Sequence, residues 1–203
     1  MGTRGAMGFR IDGVDKITYN QYDSYPTGLG ADVVAQVRAV LKENKLGEII
    51  QNIRDLRMVD EDADPTSDER SDYRRWSDSG VNRGQGWYSL LRHAQGSLDL
   101  LMTGALDVML DGNSFVTNSL FCEYAYILDI DTAADRFCLE FYTGFNKDSE
   151  AAGRYAALGN DNYAGVALVA EYPLDQLLAP DAALIVDHML AAEGGPEDED
   201  ALV

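Results

Sequence analysis

The feature that most restricts the fold is a pair of aromatic-rich runs, 121–128 and 136–143, on either side of Asp129, Ile130, Asp131, Thr132, Ala133, Ala134 and Asp135. Side chains of a strand alternate between faces, so Phe137, Leu139 and Phe141 share one side while Cys138, Glu140 and Tyr142 share the other. β-branched and aromatic residues around a polar turn predict an antiparallel hairpin. The Phe137 face is expected to meet helices.

Other segments add to that hairpin. Asp12-Gly13 separates two short runs and favours a tight turn, because both central residues must take positive φ; strands follow at about 3–11 and 14–20. Val33, Val34, Val37, Val40 and Leu41 recur at helical spacing and predict a helix over 31–44. Ile49, Ile50, Ile53 and Leu56 predict a second over 47–58, and Trp87, Leu90, Leu91 and Ala94 a third over 86–95, continued past Gly96 by Leu98, Leu101 and Met102. The near-continuous apolar run in 163–172 suits a central strand covered on both faces, which Pro173 ends. A final helix is expected over 182–192. Strands and helices do not alternate, so the fold class is α+β: an antiparallel sheet of about five strands with helices packed against it, forming one domain over 1–192.

Charge limits the partners. The 203 residues carry 35 acidic and 16 basic side chains, a formal charge of −19. Direct binding of nucleic acid, which needs clustered Lys and Arg, is disfavoured. Residues 60–72 hold −6 and residues 193–203 hold −5, leaving −8 for the rest of the chain. Residues 60–86 therefore read as an acidic surface loop and 193–203 as an acidic disordered tail. Neither a secretion signal nor an apolar stretch of about 18 residues is found, so a cytoplasmic protein with no membrane partner is expected. Cys122 and Cys138, without CxxC spacing, read as buried thiols in a reducing compartment.

Few motifs carry chemistry. No GxGxxG or GxxxxGK[ST] loop is present. Asp60, Asp62 and Asp64 have the first three spacings of a calcium loop, but Pro65 stands where Gly makes the bend and Ser71 where a bidentate Glu belongs. His93 and His188 are the only histidines and lie far apart, which argues against catalytic zinc and against Ser-His or Cys-His nucleophiles. No catalytic residue, metal site or cofactor is expected.

The unusual segment is Tyr19-Asn20-Gln21-Tyr22-Asp23-Ser24-Tyr25-Pro26. Tyr19, Asn20, Tyr22, Asp23 and Tyr25 sit at a strand end before a helix, where polar tips can converge on a ligand while rings exclude water. Arg4 and Glu123 are candidates to complete the cluster. The alternative is that Ser24, Pro26 and the glycines only shape a turn.

At Gly2-Thr3-Arg4-Gly5, at 19–26 and at 120–131, the chain resembles uncharacterised proteins of bacteriophage and bacterial genomes. That resemblance covers most of residues 1–145, implies a phage or mobile-element accessory protein, and assigns no active site. The expected function is a non-enzymatic intracellular interaction protein that binds a small ligand or a host protein. A basic host protein fits the negative field, which would mimic nucleic acid. Two alternatives stand beside it. One is a small hydrolase using Asp23, Tyr19 or Glu123 as acid–base groups; its order of elements resembles the N-terminal-nucleophile hydrolases, although Gly2 has no nucleophile and Thr3 would need trimming of two residues. The other is a virion or structural component.

Overall fold

The computed structural model describes residues 2–77, 86–159 and 162–193. The acidic stretch therefore lies partly, and the acidic tail almost wholly, outside the described residues. The chain opens with β1 (Gly5–Ile11) and β2 (Val14–Asn20), joined at Asp12 (φ 48°) and Gly13 (φ 86°). Both turn residues have the positive φ that Asp-Gly permits. Then come α1 (Ala31–Glu43), α2 (Leu46–Asp55), β3 (Arg57–Val59), α3 (Ser67–Asp72), α4 (Trp87–Leu90), α5 (Leu98–Met102) and β4 (Val108–Leu110). The hairpin β5 (Tyr124–Asp131) and β6 (Arg136–Thr143) follows, and the described chain ends with β7 (Ala167–Pro173), α6 (Leu174–Leu178) and α7 (Leu184–Glu193).

The main sheet has the order β2-β1-β5-β6-β7 and is mixed, which corrects the expected antiparallel sheet. Three pairings are antiparallel, but β1 runs parallel to β5, with Gly5 opposite Tyr124 and Ile11 opposite Ile130. The helical middle of the chain is the crossover that a parallel pair requires. Period-two patterning is the same for either direction, so the residues do not disclose it.

The apolar run expected at the sheet centre is instead an edge. Strand β7 pairs with β6 alone, and Ala167, Leu168, Val169 and Ala170 are only half-buried. Val166, just before it, leaves the sheet to fill the core beneath, and the register shifts between Phe141 and Tyr142. The predicted second helix stops three residues early, at Asp55. There the buried Lys16 ammonium donates to the carbonyls of Ile53 (2.9 Å), Arg54 (2.7 Å) and Leu56 (2.6 Å), completing the helix's last turn from outside. Residues 57–59 are thereby freed to pair parallel with β4 as a second, two-stranded sheet. The third predicted helix is a single turn, α4, followed by a tight turn at Arg92–Ala94. The described part of the acidic stretch is mostly exposed but not all loop, because Thr66 and Glu69 form a capping box that starts α3.

Hydrophobic burial fills both faces of the main sheet. Phe9, Tyr126, Leu128, Phe137, Leu139 and Phe141 meet Val33 and Val37 of α1, Ile49 and Ile53 of α2, and Ile185 and Met189 of α7, as the hairpin pattern predicts. The other face buries Ala6, Ile17, Ala125, Ile127 and Tyr142 under Val116, in a short 3-10 turn at Phe115–Thr117, and under Tyr155 and Val166 on irregular chain. Cys122 and Cys138 are both buried free thiols. Among the described residues no helix is long and apolar enough to cross a membrane.

Candidate functional site

The seven candidate residues lie at one end of the main sheet, but they do not share one concavity. Asn20, Tyr22, Asp23 and Tyr25 border a polar depression of about 450 Å³ together with Thr27, Asp32, Gln95 and Ser97. Its shape comes from a turn. Asn20 Nδ2 donates to Ser24 Oγ (2.8 Å), Asp23 takes φ 52°, and the Asp23 carbonyl accepts from Leu29 N (2.8 Å). Tyr126 donates from beneath to the Ser24 carbonyl (2.9 Å). These bonds lead β2 into α1, and Tyr22 stays 55% exposed.

Arg4 and Tyr19 belong to a separate cup of about 450 Å³, lined also by Glu61, Tyr88, Asp111, Ser114, Phe115 and Phe121. Glu123 lines neither concavity. Its Oε1 accepts from Arg4 N (3.1 Å), and its own N–H donates to the Arg4 carbonyl (3.0 Å), so it fixes the Arg4 backbone. The Arg4 guanidinium lies 4.7 Å over the Phe121 ring centroid. Tyr19 meets Phe115 edge to face at 4.8 Å. Burial pushes the Tyr19 hydroxyl above its ordinary range, and nearby Arg4 draws it part of the way back. Gly112 lets the cup floor approach β2 closely; a Cβ there would sit 2.8 Å from Tyr19 N.

Arg4 differs from the arginines that carboxylates hold. Its guanidinium has no hydrogen bond or ion pair among the described residues, whereas Arg10, Arg54, Arg57, Arg136 and Arg154 are each held by a carboxylate. Glu61 is exposed, and its side chain has no bonded partner among the described residues, while Asp111 Oδ1 accepts only the Asn113 N–H (2.9 Å). The cup thus offers one uncommitted cation, two carboxylates and four rings, a set able to hold a small ligand by stacking and by charge.

Glu61, Tyr88, Asp111, Phe115 and Phe121 were not among the sequence-derived candidates. Phe121 reads as a strand residue, yet β5 begins at Tyr124 and Phe121 is 41% exposed in the turn before it. Asp111-Gly112-Asn113 carries a turn signal that marks a loop tip. Nothing local in the sequence places Glu61 beside Arg4.

A second cluster occupies the far end of the same sheet face. Cys138, Glu140 and Glu171 bring donor atoms within 4.8 Å of one another, a spacing that could hold a metal. Both carboxylates are already engaged: Arg154 grips Glu140 through two 2.5 Å bonds, and Arg136 reaches Glu171 (2.5 Å), Asp129 (2.8 Å) and Glu140 (3.2 Å). Burial pushes the Cys138 thiol up to about 12, so it is protonated at neutral pH. A cation would have to displace two guanidinium groups and a thiol proton, and the donor set does not suit one.

Compared with known proteins, the chain matches no protein family, no characterised protein and no solved structure.

Proposed function

We propose that the chain is a non-enzymatic binding protein whose cup around Arg4 and Tyr19 takes a small ligand. The observation that carries this reading is the unpaired Arg4 guanidinium stacked on exposed Phe121 within a ring-lined concavity. A fork of donors over an aromatic face is already oriented for a planar anionic group. Two features favour binding over turnover. Tyr19 is pushed away from, and not toward, the ionised form that a base would need, and both thiols are buried with raised pKa. Titration of 15N-labelled protein with benzoate tests it: shifts should cluster at Arg4, Tyr19, Phe115 and Phe121 and vanish in Arg4→Gln. Shifts scattered over the surface would reject the cup, and slow hydrolysis of a supplied phenyl ester lost in Tyr19→Phe would favour the hydrolase.

A second reading, docking of a partner protein, draws on the apolar side chains exposed at the same end, among them Phe121 and Phe145, the latter 58% exposed at φ 53°. Exposed aromatic patches mark interaction surfaces. Phe145→Ser should then weaken a co-purified complex and leave the benzoate titration unchanged.

A further inference from the structure

The charges of the cup also select among ligands. A purely anionic ligand would meet Arg4 favourably but be repelled by Glu61 and Asp111, and a purely cationic one would meet those carboxylates but be repelled by Arg4. A ligand with one group of each sign satisfies all three residues. Beside Gly112 and Ser114, the rest of the wall is Tyr19, Tyr88, Phe115 and Phe121, which shelter an apolar ring or branched chain. The volume of about 450 Å³ falls at the small end of ligand sites. We infer that the ligand is a free α-amino acid with an aromatic or branched apolar side chain, its carboxylate on Arg4 and its ammonium toward Glu61 and Asp111.

The chemistry is complementary at each point. A carboxylate accepts two parallel N–H bonds from a guanidinium, and the Phe121 ring lies against the guanidinium, 4.7 Å from its centroid. The ammonium has three donors, and Glu61 and Asp111 supply carboxylate oxygens with few bonds of their own among the described residues. Neither end of a peptide offers both groups, so a chain terminus would satisfy only half of the cup.

This inference rests on the cup being a ligand site, and the test separates the two. Full-length protein is titrated with L-phenylalanine, N-acetyl-L-phenylalanine and L-phenylalaninamide, followed by calorimetry and by 15N shifts, with benzoate as control. The amino acid should bind about tenfold or more tightly than either blocked analogue, since each lacks a charged hydrogen-bonding group. Arg4→Gln should erase the preference over the amide, and Glu61→Gln combined with Asp111→Asn the preference over the N-acetyl form, with far-UV spectra of both variants unchanged. Equal binding of the three compounds, or benzoate shifts without phenylalanine shifts up to about 10 mM, overturns the zwitterion and leaves the cup as a site. Silence of the cup toward all four compounds overturns both.

Discussion

Two charged regions sit at opposite ends of one sheet face and use their arginines in opposite ways. At the far end Arg136 and Arg154 are enclosed by Asp129, Glu140 and Glu171, and the Glu140 side chain is only 1% exposed. Tyr142 adds its hydroxyl to Glu140 (2.9 Å), and Tyr155 carries the network on to Asp15 (3.1 Å), which also holds Arg10. At the near end Arg4 is held by its backbone and stacked on a ring, with its donors unused. The first arrangement answers the cost of burying charge by pairing every group. The second leaves charge at the rim of a cup, where water meets its needs until a ligand replaces the water. Pairing marks a group that maintains structure, and its absence in a shaped concavity marks a group available for binding.

That contrast can be broken by substitution. The largest effect is expected from Arg154→Met, which leaves buried Glu140 with Arg136 as its remaining guanidinium. A loss of about 3 kcal/mol in urea unfolding is expected, and a loss below about 0.5 would show the network to be idle. Lys16→Met strips three carbonyls at the end of α2 of their donor and should cost about 2 kcal/mol, with amide exchange accelerated first in α2. Asp12 sharpens the comparison through pH. The backbone and hydroxyl of Thr132, with Arg54, hold its carboxyl down at about 2 from an ordinary 3.8. A folded-state pKa below the unfolded one gives stability that is present above pH 3.8 and lost as pH falls toward 2. Asp12→Asn should flatten that part of the acid unfolding curve, and an unchanged curve would remove Asp12 from it. The smallest stability effect belongs to Arg4→Gln, within about 0.5 kcal/mol, alongside loss of the benzoate response. A large destabilisation there would make Arg4 a structural residue like those of the far end.

The hairpin over 121–143 was legible because period-two patterning states both the strands and the face that meets the helices, and Asp12-Gly13 announced its own turn. The mixed sheet was not legible, since strand direction leaves no mark on alternation. The edge position of β7 was hidden because Val166 and the strand after it form one apolar run while serving different places. Lys16 as the stop for α2 could not be seen either, because it acts across 37 residues or more. In the candidate site, Tyr19 and Arg4 were singled out near the ends of their strands, and the structure puts both on the wall of one cup. Their true neighbours come from the turn before β5 and from the β3–β4 sheet, which the sequence did not predict.

Composition and periodicity by themselves determined the class of fold, the two hairpins, the burial of both thiols and the shortage of basic groups, because these follow from local preference and from which side chains avoid water. Only the tertiary structure decided which charges are paired. Whether an arginine meets a carboxylate depends on which strands and loops come to lie side by side, as β5, β6, β7 and the loop carrying Arg154 do, and that choice separates the locked end of the sheet from the open one.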